Sequence, residues 1–329
     1  MRIKPDLWQS AYSGAVETTS EAPHKYQVQV DVETRAGRFG CVPISLPAAM
    51  GAVAFVDGTP RVEMHATVDG EVPRFGLFGA VAWGALRMEG AHPHDLFSSL
   101  MDLQVFRYFI TDAADLTESA IILRSAPHDP SRMVYTVRSV QRDPADFHHA
   151  LTDWMRAGEG ELAAVLVKDP GIDLVLADGP IPYERTLVDE SGKLAGLIKS
   201  VREFYLAGAE LKAVATLECG QRTHLFAIRY PDRDISKLSF FLRLQPLSSY
   251  SSPWSNLARV ELPYMSLSQA QDLAERAARA ALHFASNLWA DRRAPQNLYP
   301  VAALEQALKN RLGDSNLIRS RILATLALA

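Results

Sequence analysis

The chain has 329 residues, 48% of them apolar, and a formal net charge of −4, enough to bury a sizeable core in one large or two ordinary domains. Its mild acidity excludes a uniformly basic nucleic-acid coat protein and leaves room for an enzyme with a locally basic channel. The two cysteines, Cys41 and Cys219, lie far apart, which excludes a disulfide framework or zinc ribbon and fits a reducing compartment.

Met1 to Asp6 lacks the apolar region of a secretory leader. No apolar run approaches the ~18 residues that span a bilayer. The expected location is cytoplasmic, with no membrane partner. Residues 1–24 read as a helical or irregular arm. Tyr26–Glu33 alternates apolar and polar, the mark of a half-buried strand. Ala52-Val-Ala-Phe-Val-Asp57 is a short apolar run ending in Asp57-Gly58, read as a buried strand followed by a sharp turn. Arg61–Val68 and Gly76–Gly84 follow as further strands, the second after an Asp69-Gly70 turn. The three together predict an antiparallel meander.

Val105–Ile110, Ala120–Leu123 and Met133–Val137 read as strands. Ala145–Val167 reads as a helix, with Phe147, Leu151, Trp154 and Met155 at three-to-four spacing and a bend expected at Gly158 and Gly160. A second apolar run, Ile172–Ala177, ends in Asp178-Gly179. Leu194–Ala207 predicts a helix. Leu225–Arg229, Leu238–Leu244 and Arg259–Pro263 predict strands, the last ended by its proline. Three helices close the chain: Ser266–Ala290, Pro300–Asn310 and Leu317–Leu328.

The two Asp-Gly strand ends carry the chemistry. Each apolar run delivers a carboxylate to the mouth of a sheet, and neighbouring strands would let Asp57 and Asp178 share one cation. The helix before the second run adds Glu159, at the edge of its apolar stripe, with Glu161 as the alternative. An all-oxygen site of this kind suits Mg²⁺ or Mn²⁺ rather than zinc. It also suits phosphodiester hydrolysis, in which metals activate water and steady the leaving oxygen. The pairs His92/His94 and His148/His149 have no third ligand at suitable spacing. The sequence carries no G-x-S-x-G and no Walker A pattern. Basic residues gather at Arg292, Arg293, Lys309, Arg311, Arg319 and Arg321, and more loosely at Arg132, Arg138 and Arg142. They are candidates for a DNA path, with Trp254 a candidate for base stacking.

In order along the chain, Val56-Asp57-Gly58-Thr59, Arg156…Glu159-Gly-Glu161-Leu-Ala, Leu176-Ala-Asp178-Gly179-Pro180, Gly196-Leu-Ile-Lys199, Arg259-Val-Glu-Leu-Pro263 and Tyr299-Pro300 resemble the motifs of the NurA nucleases. The resemblance implies an RNase H-like α/β core with flanking helices and a helical C-terminal region. It implies a Mn²⁺- or Mg²⁺-dependent deoxyribonuclease, an endonuclease on single strands and a 5′-to-3′ exonuclease, acting in DNA end resection and repair. It further implies a homodimer and a HerA-type hexameric ATPase as partner. By position, Asp57 and Asp178 match the metal-binding aspartates and Glu159, or else Glu161, the helical glutamate. Lys199 matches a lysine that would face a phosphate, and Tyr299 the C-terminal tyrosine. Archaeal members follow that tyrosine with a histidine; Ala307 and Leu308 occupy the stretch here. The expected organisation is an arm and strand over 1–50, a nuclease domain over 51–315 and a C-terminal helix over 316–329. The alternatives are a catalytically reduced adaptor of the same fold that docks on the translocase, and a small-molecule phosphohydrolase.

Overall fold

A computed structural model of the chain describes residues 26–35, 37–45, 50–68, 71–72, 74–89, 99–113, 119–123, 132–181, 191–201, 203–230, 235–287 and 293–327. The predicted N-terminal arm, the Asp69-Gly70 turn, His92, His94 and Arg292 lie outside the described residues. The strands are β1 Gln27–Gln29, β2 Cys41–Pro43, β3 Val53–Val68, β4 Arg74–Met88, β5 Leu100–Thr111, β6 Ala120–Leu123, β7 Met133–Ser139, β8 Leu174–Asp178, β9 Leu194–Ile198, β10 Gln221–Thr223, β11 Phe226–Tyr230, β12 Ile235–Arg243 and β13 Leu257–Pro263. The helices are α1 Phe147–Leu166, α2 Gly208–Ala215, α3 Leu267–Phe284, α4 Tyr299–Leu312 and α5 Ser315–Leu326. The expected mixed α/β class is present: a large sheet with parallel and antiparallel pairs, flanking helices and a helical C-terminal region. No helix among the described residues is long and apolar enough to cross a membrane.

Contacts group the chain into two units. The first comprises Met1–Val56, Leu86–Ser99 and Ala163–Ala303. Its strands run in the order β1-β11-β12-β13-β9-β8-β3. The pairs from β1 to β9 are antiparallel, whereas β9, β8 and the start of β3 are parallel. Parallel strands buried on both faces need continuous apolar runs, which Leu194–Ile198 and Leu174–Ala177 supply. α3 packs across β12, β13, β9 and β8 through an alanine-rich stripe ending in Phe284, whose ring meets Phe55 edge-on at 5.0 Å. Elsewhere in the unit, Leu206, Val214, Leu217, Phe226 and Phe241 form a second cluster. Beside it lies Arg243, fully buried, whose guanidinium donates to the carbonyls of Leu217, Ser255, Val214, Ala215 and Pro253.

The helix predicted over Leu194–Ala207 is not formed. Leu194–Ile198 is a strand, and the helix that follows begins only at Gly208. A short apolar run carries no periodicity to separate a buried strand from a helix. Gly196 fits the strand because two backbones meet there: a Cβ at Gly196 would lie 2.6 Å from the Gly179 carbonyl oxygen.

The second unit comprises Asp57–Ala85, Leu100–Leu162 and Leu304–Ala329. Its strand order is β3-β4-β5-β7-β6, with β5 and β7 parallel and β7 and β6 antiparallel. Successive strand residues point to opposite faces, and both faces are covered. On one, Leu77, Val81 and Ile110 meet Phe147, Leu151 and Met155 of α1. On the other, Phe78, Phe109 and Tyr135 meet Ile318 and Ile322 of α5.

The turn predicted at Asp57-Gly58 is also absent. β3 continues without interruption from Val53 to Val68, so the first two strands of the expected meander are one. Gly58 serves close packing instead of chain reversal. A Cβ there would lie 2.6 Å from Glu159 Oε1 and 2.7 Å from Met155 Cγ, both on α1. Gly179, by contrast, has φ +106° and ends β8 as expected. α1 runs unbroken through Gly158 and Gly160, and Gly158 makes room for the Trp83 indole.

Candidate metal centre

Asp178 is the last residue of β8, and Lys199 directly follows β9. The Lys199 ammonium donates to Asp178 Oδ2 at 2.6 Å and to Asn297 Oδ1 at 2.7 Å. The Lys199 side chain is only 3% exposed, so it is neither a helix-start nor a surface lysine. A buried ammonium needs a counter-charge and acceptors, and Asp178 and Asn297 supply them. Asn297 is fully buried and carries no motif that would single it out in the sequence.

Asp57 extends the same logic along β3. The parallel register pairs Val53 with Leu174 and ends at Val56 with Ala177, so the next residues along the two strands are Asp57 and Asp178. Asp57 is 5% exposed, and its Oδ1 accepts the Gly58 amide at 2.8 Å. Asp57, Asp178 and Glu305, the last on α4, form a group in which one carboxylate oxygen from each lies within 4.8 Å of the other two. Three carboxylates this close repel one another; Lys199 offsets the charge of Asp178, and a divalent cation would join all three. The all-oxygen donor set fits a hard divalent ion such as Mg²⁺ or Mn²⁺.

The third member of this group is Glu305, not Glu159 or Glu161. Strand alternation explains the difference. Residues 55, 57, 61 and 63 share one face of β3, whereas the space above Gly58, on the other face, is filled by Glu159 of α1. Glu161 lies further along α1 and is exposed. In the sequence, Glu305 has the signature of a solvated helix face. It sits one helical turn before Lys309, with Lys309 Nζ 3.5 Å from its Oε2.

Tyr299 opens α4 and packs its ring edge-on against Phe284 at 5.4 Å; burial pushes its phenol above the ordinary tyrosine range. Trp254 packs 4.8 Å from the Phe204 ring as part of the core. His149 faces Asp146 at 3.2 Å, and the His148 ring lies 3.9 Å from that of His149, tilted by 42°. Among the basic residues proposed for a DNA path, Arg321 is buried and Arg142 pairs with Asp153.

The structure is similar to that of the NurA nuclease from Sulfolobus solfataricus, with a TM-score of 0.47 and 11% sequence identity over 87% of this chain and 88% of the other. No curated protein matches the sequence. The family model described as the NurA domain matches residues 51–309, a span that takes in Asp57, Asp178, Lys199, Asn297 and Glu305, and the chain therefore belongs to the NurA family.

Proposed function

We propose that this protein is a metal-dependent deoxyribonuclease, with Asp57, Asp178 and Glu305 holding Mn²⁺ or Mg²⁺. The observation that carries the reading is the convergence of these three carboxylates. Membership of the NurA family supports DNA as the substrate. Single-strand endonuclease and 5′-to-3′ exonuclease activity, a role in end resection and repair, a homodimer and a HerA-type hexameric ATPase partner follow from the family resemblance and belong to the same proposal.

When bound, the ion would activate a water and steady the leaving oxygen of the phosphodiester. The chain's own residues prepare that chemistry. Asp57, within β3, and Asp178, at the end of β8, come directly after the last paired residues of two adjacent strands, so their carboxylates are placed by backbone hydrogen bonding and not by flexible loops. Lys199 occupies one oxygen of Asp178 and orients the carboxylate. Asn297 fixes the ammonium from the other side. Charge on Lys199 also offsets the acidity of the site, so that a phosphate can approach. Glu159, braced over Gly58, holds α1 against β3. Tyr299 offers a neutral hydroxyl at the start of α4.

The test is degradation of single-stranded DNA by the purified chain in Mn²⁺. Asp57→Asn and Asp178→Asn should each lower the rate by at least about 100-fold, the scale of loss when electrostatic stabilisation at a reacting centre is removed. A wild-type chain inert under conditions where another nuclease works would refute the reading.

A further inference from the structure

An ion-pair knot in the second unit lies at the C-terminal end of α4, the helix that carries Glu305. Glu63, whose side chain is completely buried, accepts from Arg61 Nη2 at 2.8 Å, from Arg107 Nη1 at 2.7 Å and from the Tyr135 hydroxyl. The two guanidinium groups then reach the C-terminal end of α4. Arg61 donates to the Gly313 carbonyl at 2.7 Å and the Leu312 carbonyl at 2.9 Å, and Arg107 to the Leu312 carbonyl at 2.7 Å. Helix C-termini leave carbonyls without intrahelical partners and favour positive charge. Asp314 then caps α5 by accepting the amides of Asn316 and Leu317, which fixes the corner from the far side.

The geometry connects this knot to the metal group. Asp57, Arg61 and Glu63 lie on one face of one strand. Four strand residues separate Asp57 from Arg61, about 13 Å, and seven helical residues separate Glu305 from Leu312, about 10 Å. The part of α4 that carries Glu305 therefore lies along the same stretch of β3 that carries Asp57. We propose that Arg61 and Arg107, tied together by Glu63, are positioning residues that set Glu305 against Asp57 for metal binding. This rests on the reading of Asp57, Asp178 and Glu305 as the metal ligands. The side chains do not touch the ion; they fix where α4 stops and so where its carboxylate stands.

Mn²⁺ affinity, read by electron paramagnetic resonance of the free ion, tests this without reference to DNA cleavage. Wild type, Arg107→Met, Glu305→Gln and the double variant form a cycle. Arg107→Met should weaken Mn²⁺ binding about 10-fold, the lower end for residues that orient a ligand. In the Glu305→Gln background the same change should have no further effect, because its route to the ion is gone. Arg61→Met, at a partly exposed side chain, is the second variant if Arg107→Met does not fold, with the same pattern expected. Wild-type affinity in the folded arginine variants, or losses that add fully to that of Glu305→Gln, would overturn the positioning role and leave the metal reading standing. A wild-type chain that binds no Mn²⁺ would overturn both.

Discussion

The ammonium of Lys199 sits 2.6 Å from Asp178 Oδ2 in a setting almost closed to water. Removing one member of a buried ionic pair leaves the other desolvated and without its counter-charge. Lys199→Met should therefore lower unfolding stability in metal-free buffer by about 2 kcal/mol, in the range for hydrogen bonds to charged groups. Saturating Mn²⁺ should narrow the gap, since the ion takes over as counter-charge for Asp178. Urea denaturation with and without Mn²⁺ measures both values, and an equal gap in the two conditions would contradict a shared charge.

Glu305 and Glu161 make a direct contrast on the question of which glutamate serves the site. Glu305→Gln should weaken Mn²⁺ binding as strongly as Asp57→Asn does. Glu161→Gln, at an exposed position on α1, should change stability by no more than about 0.5 kcal/mol and leave binding intact. Isothermal titration with Mn²⁺ separates them.

Gly58→Ala should destabilise the protein by about 1–3 kcal/mol, the usual penalty of overpacking. The new methyl would meet Glu159 Oε1 and Met155 Cγ, with the Ala82 carbonyl oxygen 3.1 Å away. Glu159 and Met155 can yield, so adding Glu159→Ala should recover part of the loss. Paired thermal melts of the single and double variants provide the measurement.

Tyr135 is buried and donates to Glu63, and both burial and that neighbouring carboxylate raise its pKa well above the ordinary value. The sign follows from proton counts. Above about pH 10 a tyrosine in the unfolded chain releases its proton, while folded Tyr135 retains it. The stability that Tyr135 contributes is thus complete below pH 10 and is lost as the pH climbs beyond it. Unfolding free energy should decline from pH 10 to 11 in the wild type, and the decline should be shallower in Tyr135→Phe. Identical slopes would show that Tyr135 ionises normally.

Much of this architecture can be read from apolar patterning. Ile172–Asp178 announces a buried strand with a carboxylate at its end, and Asp178-Gly179 ends it as a turn residue pair should. Phe147–Leu166 and Leu267–Phe284 are readable as helices from their spacing. Asp57 is readable as a carboxylate on a buried strand, although not the continuation of that strand, because Asp-Gly has the same local preference whether or not the chain reverses. Leu194–Ile198 is set apart from a helix only by tertiary packing, with Gly196 close against the Gly179 backbone. Glu305 and Asn297 depend on tertiary placement alone. Nothing local separates Glu305 from a surface glutamate paired with Lys309, and Asn297 precedes a helix that many sequences could begin.

Arg243 has a consequence for how the first unit comes together. Its guanidinium loses its water only when five carbonyls, from Val214 to Leu217 and from Pro253 to Ser255, are all in place. Either segment leaving alone would strand a charge in the interior, at a penalty neither segment can absorb. The two stretches are far apart in sequence, yet they are bound to open and close as one cooperative block, and their amides should exchange with solvent hydrogen at a common rate.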